Sequence, residues 1–271
     1  MSASVEYVES HRAYDVETKH GRTAVSLLDY LRPVDVVGIP KIRMGSVYDG
    51  GYVCLEPTPG ALLLSYGLGG NVDFEREFAA RVPGGRVVGF DPVPCALALP
   101  ENVTVVQEAL GAVRAFGPGG VDTLAGHLER FGGASSSDVV VKIDIEGGEW
   151  SAFEATPDAE LRRFTQLIVE WHGLSHVATH MRARTLWARL ATHFSLYHVH
   201  GNNYRGLVEI DGLLVPETLE CSYVRHGVVA TTSPSREPFP GPLDRPNDRK
   251  AVDHPLPFVR QGAGGGAPKA S

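Results

Sequence analysis

The stretch DVVVKIDIEGGEW, residues Asp138–Trp150, decides the fold that this sequence predicts. Its first half is a run of β-branched apolar residues around one lysine, which is typical of a strand buried on both faces of a parallel sheet. The run ends at Asp144, and a turn with two glycines follows. Ligands of open α/β sheets bind outside the carboxyl ends of the strands, so Asp144 is a candidate site residue. The plain alternative is a polar strand end followed by a glycine turn.

Strands and helices alternate on both sides of this stretch. The other strands of the predicted sheet are Ala61–Tyr66, Arg86–Phe90, Val103–Gln107, Gln166–Val169 and Leu196–Val199. Helical patterns cover Asn71–Arg81, Val121–Phe131, Ser151–Arg163 with a break near Pro157, and Met181–Phe194. This alternation predicts βαβ units and an α/β fold with a mostly parallel sheet. Three short, closely spaced segments predict an antiparallel edge: Leu207–Ile210, Leu213–Val215 and Glu220–Val224.

The segments that flank this alternation divide the chain into three parts. Residues 1–40 are predicted to be an N-terminal arm and helix, and residues 41–230 the α/β domain. At the start of the domain, Lys41–Leu55 predicts a hairpin that turns at its DGG motif. Residues 231–271 are rich in proline and glycine, so we expect an extension that runs along the surface and is disordered from Gly262 onward.

Composition limits the partners and the compartment. The net charge of −7 argues against nucleic acid and against an anionic membrane surface, since both favour a basic face. No segment approaches the ~20 apolar residues that a membrane span needs. Cys54, Cys95 and Cys221 are scattered and odd in number, which is typical of reduced thiols rather than of a disulfide framework. We therefore expect a cytoplasmic protein.

A glycine-rich loop, SYGLGGN over Ser65–Asn71, follows the first strand and opens a helix, so its backbone N–H groups can face a ligand. Asp91 ends the next strand, where an acid can accept hydrogen bonds from both ribose hydroxyls of an adenosine cofactor. A dinucleotide-binding loop would have its third glycine where Val72 stands, and the sequence contains no P-loop motif. S-Adenosylmethionine, which has a ribose and no phosphate, fits better. The alternative is a generic tight turn.

Six segments, in chain order, resemble the FkbM-related class I S-adenosylmethionine-dependent methyltransferases: LLSYGLGGNVDFEREFA, GFDP, EALG, VVKIDIEGGEWSAFE, LIVEWH and HVHGNN. DGGYV before them and LDRPN after them resemble one methyltransferase-like branch of that group. The resemblance covers about residues 41–250. It implies a Rossmann-like fold with seven strands in the order 3-2-1-4-5-7-6, helices on both faces, and methyl transfer, commonly to a hydroxyl.

The resemblance also implies a cofactor site. The predicted cofactor-binding residues are Tyr66, Gly67, Gly69, Asn71, Asp91, Glu108, Ala109 and Asp144. The two loop glycines would flank the methionine part, Asp91 would hold the ribose, and Glu108-Ala109 would border the adenine. The sequence departs from the family at Ser65-Tyr66, where many methyltransferases carry an aspartate before the glycine.

The acceptor side is predicted at three neighbouring strand ends. Asp144, His172 and His200 are candidate catalytic residues, because an alcohol that accepts a methyl group must lose its proton to a base. Asp144, Glu170 and His172 are candidate ligands of a divalent cation, Mg²⁺ or Mn²⁺, which can instead lower the pKa of the hydroxyl. The alternatives are a hydrogen-bonded loop histidine at His172 and, for the acids after Asp144, a stabilising place in the first turn of a helix.

The leading interpretation is methylation of a hydroxyl on a small or glycosylated metabolite. N-Methylation stays open, because the same bases serve an amine. A nicotinamide-dependent oxidoreductase and a non-catalytic adenosyl-binding protein are further alternatives on this type of sheet. We expect a small-molecule acceptor and no nucleic-acid or membrane partner. The sequence leaves open the acceptor, the need for a metal, and whether the chain forms a homo-oligomer.

Overall fold

The structure, a computed structural model, describes residues 26–94, 98–115, 117, 119–132, 138–230 and 232–259. The predicted N-terminal arm up to residue 25, Cys95 and the predicted disordered tail from Gly262 lie outside these ranges. Within the described ranges, none of the helices is both long and apolar enough to cross a membrane.

The strands, in chain order, are β1 Val34–Val36, β2 Lys41–Gly45, β3 Gly51–Leu55, β4 Leu62–Tyr66, β5 Arg86–Phe90, β6 Val103–Val106, β7 Ala109–Leu110, β8 Val121–Asp122, β9 Val139–Ile143, β10 Gln166–Trp171, β11 Phe194–Gly201, β12 Leu207–Ile210, β13 Leu213–Pro216, β14 Leu219–Arg225 and β15 Thr232–Pro234. The α-helices are α1 Asp73–Arg81, α2 Leu124–Phe131, α3 Glu149–Ala155, α4 Asp158–Leu161 and α5 Val177–Ala191. Two 3-10 helices cover Leu27–Leu31 and Pro257–Val259.

Seven of these strands form the central sheet, in the order β11-β14-β10-β9-β4-β5-β6. Numbered along the chain and read from the β6 edge, this order is 3-2-1-4-5-7-6, so the predicted order is confirmed. Neighbouring strands from β10 to β6 are parallel, and β14 runs antiparallel to both β10 and β11. The chain therefore has the Rossmann-like α/β fold with a mostly parallel sheet that the sequence predicts.

The antiparallel part of the fold differs from the expectation. The spacing of the segments grouped β14 with β12 and β13 at an antiparallel edge, but β14 lies between β10 and β11, where the order 3-2-1-4-5-7-6 places the last strand, and six of its seven residues are buried. The other two expected edge strands, β12 and β13, pair with each other as a separate hairpin. Close spacing along the sequence predicted one antiparallel group, whereas β14 pairs with β10 and β11 inside the central sheet.

The helices also refine the expectations. Val121 and Asp122, expected to start a helix, form β8 beside β7, because Thr123 caps α2 and its hydroxyl accepts the N–H of Gly126 at 3.1 Å. The predicted break near Pro157 is confirmed: α3 ends at Ala155 and α4 begins at Asp158, with Thr156 and Pro157 between them. Proline lacks the N–H that would continue the first helix.

The core is built on both faces of β9, whose residues are all buried. Successive side chains of a strand point to opposite faces. Val139, Val141 and Ile143 belong to a core cluster that includes apolar residues of α2, α3 and α5. Val140 belongs to a second cluster with apolar residues of α1 and of the β2–β3 hairpin. The unbroken apolar run in the sequence thus reflects burial on both faces.

Two segments outside the alternation are attached to the sheet. The predicted hairpin forms as β2 and β3, and the Ser222 hydroxyl on β14 donates to the Val53 carbonyl at 2.6 Å. The segment after β15 was expected to run along the surface, but Asp244 and Asn247 are buried, and Phe239 packs in the core.

The ends of β4 and β9 lie unusually close together. Gly67, just after β4, has a φ of +76°, and a Cβ there would lie 1.6 Å from the Asp144 carbonyl oxygen. The Asp144 N–H donates to the Tyr66 carbonyl at 3.1 Å, and the Gly67 N–H donates to the Phe90 carbonyl at 3.0 Å. Glycine is therefore required by the conformation and by the contact.

We predict that Gly67→Ala lowers the free energy of unfolding by roughly 3 kcal/mol or more, because the backbone must move to admit a Cβ. Gly69→Ala is the matched control: Gly69 also has a positive φ, +52°, but nothing lies within 4 Å of its Cβ position. The control should cost only the αL strain of about 1–2 kcal/mol. Denaturant unfolding of both variants measures the difference, and equal losses would contradict the close contact.

Candidate functional site

The turn after β9 is held by Glu149. Its carboxylate accepts the N–H of Ile145 at 2.9 Å and the N–H of Gly147 at 3.0 Å, and the residue is completely buried. Glu146, inside this turn, has a positive φ of 56° and an exposed side chain. Glu149 was expected to be only a first-turn acid of the helix. It starts α3, but its side chain also fixes the turn that carries Asp144.

His172 lies at the end of β10, facing this turn. Its Nδ1 lies 3.1 Å from Glu149 Oε1, and its carbonyl accepts the indole N–H of Trp150 at 2.7 Å. Its Nε2 faces three carboxylates, at 3.6 Å from Glu146, 3.6 Å from Glu170 and 3.9 Å from Asp144. These separations exceed a hydrogen bond, so Nε2 is hydrogen-bonded to none of the three carboxylates.

The carboxylates of Asp144 and Glu170 are joined through Tyr52. The Tyr52 hydroxyl lies 2.9 Å from Asp144 Oδ2 and 3.1 Å from Glu170 Oε2. Asn202, after β11, donates its side-chain amide to Glu170 Oε1 at 2.7 Å. The structure therefore brings together Asp144, Glu170 and His172, the three residues predicted as metal ligands.

Burial and mutual charge shift the pKa values of this cluster. Burial raises the pKa of Asp144. Burial, and then the charge of Asp144, raise the pKa of Glu170 well above its usual range. Burial lowers the pKa of His172, but its hydrogen bond to Glu149 and the surrounding carboxylates outweigh this and raise it to about 9. The imidazole is thus positively charged at neutral pH, and the cluster favours a cation.

The glycine-rich loop is tied to the end of the next strand. Asp91, which is buried, accepts the Gly69 N–H at 2.9 Å and the Val93 N–H at 2.8 Å. Gly69 and Gly70 have open space where a Cβ would lie. Asn71 donates its amide to the Ser46 hydroxyl at 2.7 Å, so the hairpin turn borders the loop. This arrangement leaves a ligand access to the loop backbone.

Other predicted cofactor residues form the surroundings of this loop. Tyr66 is buried and stacks on Phe90 with ring centroids 4.8 Å apart. Ser65 donates its hydroxyl to the buried Glu75 of α1. Lys142 is also buried, and its ammonium donates to the Gly67 carbonyl at 3.1 Å. Tyr66 thus lies below the loop and does not reach the surface.

Glu108 is engaged by its own protein neighbours. Arg130 donates to its two oxygens at 2.6 and 2.9 Å, and His127 Nε2 lies 3.1 Å away. Glu108, Asp122 and His127 are close enough together to hold a metal ion. The two acids already pair with Arg130, and Asp122 also pairs with Arg114, so arginine side chains fill the role of the cation. Ala109 lies beside Glu108 at the start of β7, where its backbone pairs with β8.

His200 lies in a different environment from the one expected of a catalytic residue. Its Nδ1 lies 2.9 Å from Glu220, its Nε2 lies 3.0 Å from Asp253, and the side chain is 1% exposed. Both nitrogens are occupied, so the ring has no free atom for a substrate. The sequence placed His200 correctly at a strand end but could not reveal the acids on β14 and in the C-terminal segment that enclose it.

A shallow cavity of about 500 Å³ lies elsewhere in the molecule. It is formed by the end of α1 and the starts of β5 and β6, with Val82, Arg86 and Asn102 among its lining residues. This is the amino end of the parallel strands. Ligands of such sheets bind at the opposite end, and the side chains described above also lie there.

Several residues of the site were missed or underrated in the sequence. Tyr52 belongs to the DGGYV motif, in which the sequence predicted only a hairpin turn. Glu149 follows the glycine pair by one residue, and its burial has no local sequence signal. Asn247, in LDRPN, donates to Glu220 at 2.6 Å and to Asp49 at 3.1 Å, linking the C-terminal segment to the hairpin. These contacts join residues far apart in sequence, and one sequence does not specify them.

Comparisons with known proteins give a likeness at the level of the fold. No family model matches this chain, and no curated protein matches its sequence. Crystal structures similar to it include a candidate rRNA-methylase from Clostridium thermocellum, with 11% identity and a TM-score of 0.37, covering 62% of this chain and 88% of that one. Precorrin-6y C5,15-methyltransferase from Geobacter metallireducens has 13% identity and a TM-score of 0.34, with 60% and 80% covered. A predicted O-methyltransferase from Agrobacterium tumefaciens has 14% identity and a TM-score of 0.33, with 62% and 76% covered. At these values, the fold assignment rests on the strand order described above.

We predict that Glu149→Gln lowers the pKa of His172 from about 9 toward its ordinary value of 6.5, because burial then acts without the charged partner. An NMR titration of the imidazole measures this. Glu146→Gln is the control: Glu146 lies 3.6 Å from Nε2, but its side chain is 76% exposed and solvent screens its charge. A larger effect of the control would contradict the role of Glu149.

We predict that His200 makes stability depend on pH. Burial lowers its pKa, but Glu220 and Asp253 outweigh this and raise it from 6.5 to about 10. The stability contributed is therefore fully present below the unfolded pKa of 6.5 and is lost as pH rises toward 10. Denaturant unfolding across this window should show a loss on the order of a few kcal/mol that is smaller in His200→Gln. An unchanged slope in the variant would contradict the assignment.

Proposed function

We propose that this protein is an S-adenosylmethionine-dependent methyltransferase that methylates a hydroxyl group on a small or glycosylated metabolite. The observation that carries the proposal is the juxtaposition at Gly67. The glycine-rich loop bonded to Asp91 meets, within one strand spacing, the end of β9, where Asp144 faces His172. A donor site and an acid–base site therefore share one edge of the sheet.

The residues around the loop fit the donor. Gly67, Gly69 and Asn71 would border the methionine part, and the open space at Gly69 and Gly70 leaves room for it. Each Asp91 oxygen accepts one backbone N–H and keeps a lone pair for a ribose hydroxyl. With Glu108 paired to Arg130, the backbone at Glu108-Ala109 would border the adenine. When bound, S-adenosylmethionine supplies an electrophilic methyl group.

The acceptor proton would pass to Asp144. His172 is protonated at neutral pH, so it is a poor base in that state, although it can orient Asp144 and stabilise its charge. The raised pKa of Asp144 makes its carboxylate a stronger base than an ordinary aspartate. Its side chain is 26% exposed, whereas Glu170 is buried behind it. Asp144 is thus the carboxylate that a substrate can reach.

Asp144, Glu170 and His172 would also hold a divalent cation, Mg²⁺ or Mn²⁺. The fit rests on the donor set: His172 turns Nδ1 to Glu149 and Nε2 toward carboxylates, the arrangement of a metal-binding histidine with a supporting acid. A bound cation would displace the proton from Nε2, because only the neutral imidazole is a ligand. A cation there would lower the pKa of the acceptor hydroxyl. The cluster Asp144, Glu149 and His172 is compact enough for one ion, but Glu149 already accepts backbone N–H groups, so we assign it the supporting role.

The same proposal includes a cytoplasmic location and a small-molecule acceptor. Cys54 and Cys221 are buried free thiols, which supports a reducing compartment. The acidic cluster and the net charge of −7 support an acceptor other than nucleic acid.

The test combines calorimetric binding of S-adenosylhomocysteine with transfer of a labelled methyl group to a panel of hydroxylated and glycosylated metabolites. We expect binding, transfer to a hydroxyl, and loss of transfer with a chelator that Mg²⁺ or Mn²⁺ restores. Asp144→Asn should lower kcat by ~10²–10⁴-fold, since it removes the base. Asp158→Asn, which removes an acid that pairs with Arg189 on the surface, should leave kcat unchanged.

Each alternative has its own outcome. Absence of S-adenosylhomocysteine binding would overturn the proposal, and saturable NADH binding would favour an oxidoreductase. Transfer confined to amines would replace O-methylation by N-methylation. Cofactor binding without transfer to any acceptor class would favour a non-catalytic adenosyl-binding protein.

A further inference from the structure

Tyr52 lies on β3, in the hairpin that precedes the sheet, rather than at a strand end of the sheet itself. It is 2% exposed, and its hydroxyl lies between carboxylates that belong to two neighbouring strand ends. The contacts are 2.9 Å to Asp144, after β9, and 3.1 Å to Glu170, on β10. One side chain from outside the sheet therefore connects the two acids of the site.

The position of this hydroxyl is fixed by its surroundings. The Tyr52 ring meets Phe74 of α1 edge to face, with centroids 5.8 Å apart, and the Lys142 ammonium lies 5.2 Å from the ring centroid. Leu55, at the end of the same strand, donates its N–H to Gln166 Oε1 at 2.9 Å. This hydrogen bond holds β3 against β10. A buried ring with these contacts has little freedom, so the hydroxyl can hold the acids in place.

The contact also decides which carboxylate oxygens face His172. Tyr52 takes Oδ2 of Asp144 and Oε2 of Glu170. The oxygens left are Oδ1 and Oε1, and these are the ones that lie 3.9 and 3.6 Å from His172 Nε2. Two buried carboxylates would repel each other without a shared partner. The Tyr52 hydroxyl has one proton, which it can share between the two carboxylate oxygens on the far side, so that the other oxygen of each faces His172 Nε2.

We propose that Tyr52 is a positioning residue for a divalent cation, holding Asp144 and Glu170 so that both can bind it beside His172. This inference rests on the cation site of the proposed function. Groups that orient metal ligands contribute about 10–100-fold to metal affinity. Glu149 has this role toward His172, and Tyr52 has it toward both carboxylates. The β2–β3 hairpin then contributes a positioning residue to the site in addition to packing against the sheet.

The variant Tyr52→Phe tests this, because it removes only the hydroxyl and keeps the ring packed against Phe74. Mn²⁺ is titrated into the full chain by calorimetry, and S-adenosylhomocysteine is titrated separately. We expect Mn²⁺ affinity to fall by about 10–100-fold and S-adenosylhomocysteine affinity to change less than about twofold. A general loosening of the fold would weaken both ligands.

Tyr197→Phe is the matched control. Its hydroxyl is equally buried, donates to Gln166 at 3.0 Å and accepts the Leu55 N–H at 3.1 Å, so it supports the same hairpin without touching the acids. This variant should lose stability and keep Mn²⁺ affinity. Thermal unfolding of each variant confirms that the titrated protein is folded.

The outcomes separate this inference from the proposed function. Unchanged Mn²⁺ affinity in Tyr52→Phe, an equal loss in Tyr197→Phe, or a wild type without Mn²⁺ binding would each overturn it. In these cases S-adenosylhomocysteine binding by the wild type still supports methyl transfer. If Tyr52→Phe does not fold, a crystal structure of the wild type with Mn²⁺ decides. A Tyr52 hydroxyl beyond 3.5 Å from both ligating carboxylates would overturn the inference, and contact with both would support it.

Discussion

At the carboxyl end of the sheet, β4 and β9 approach so closely that the Asp144 carbonyl occupies the space next to Gly67 where a side chain would begin. This contact sets the distance between the glycine-rich loop and the acid that follows β9. It leaves no room for a side chain at Gly67, which has a positive φ, whereas Gly69 and Gly70 border open space. Donor loop and acid thus have one fixed relation because two strands meet at backbone contact.

Charge is the second constraint on this edge. Asp144, Glu149 and Glu170 are brought around one histidine, and two of these acids are almost fully buried. Such a group of carboxylates is stable only when protons, cations or hydrogen-bond donors balance it. The protein supplies two backbone N–H groups to Glu149 and the Asn202 amide to Glu170. The Tyr52 hydroxyl lies between Asp144 and Glu170. The positive charge of the His172 imidazole, whose Nε2 faces three carboxylates, also offsets this group of acids.

Segments before and after the sheet complete this edge. The hairpin contributes Tyr52 and the turn at Asp49, and the C-terminal segment contributes Asn247, which bonds to Asp49 and Glu220 together. His198 and His200 on β11 pair with Asp244 and Asp253 of the same C-terminal segment. Paired side chains far apart in sequence therefore hold these extensions on the sheet. His200, a candidate catalytic residue in the sequence, makes one of these attachments.

The resemblance of the motifs implied the strand order, and the sequence by itself determined the α/β class and the positions of Asp144, Glu170 and His172 at neighbouring strand ends. These follow from local pattern, because an apolar run marks a buried strand and a polar residue after it marks the strand's end. Tertiary structure alone decided that β12 and β13 form a separate hairpin, that His200 is enclosed, and that Tyr52 and Glu149 contact the candidate site residues. Each of these depends on which partner a strand or side chain meets across the fold. Side-chain pairing over long sequence separations leaves no periodic trace, whereas burial along one strand does.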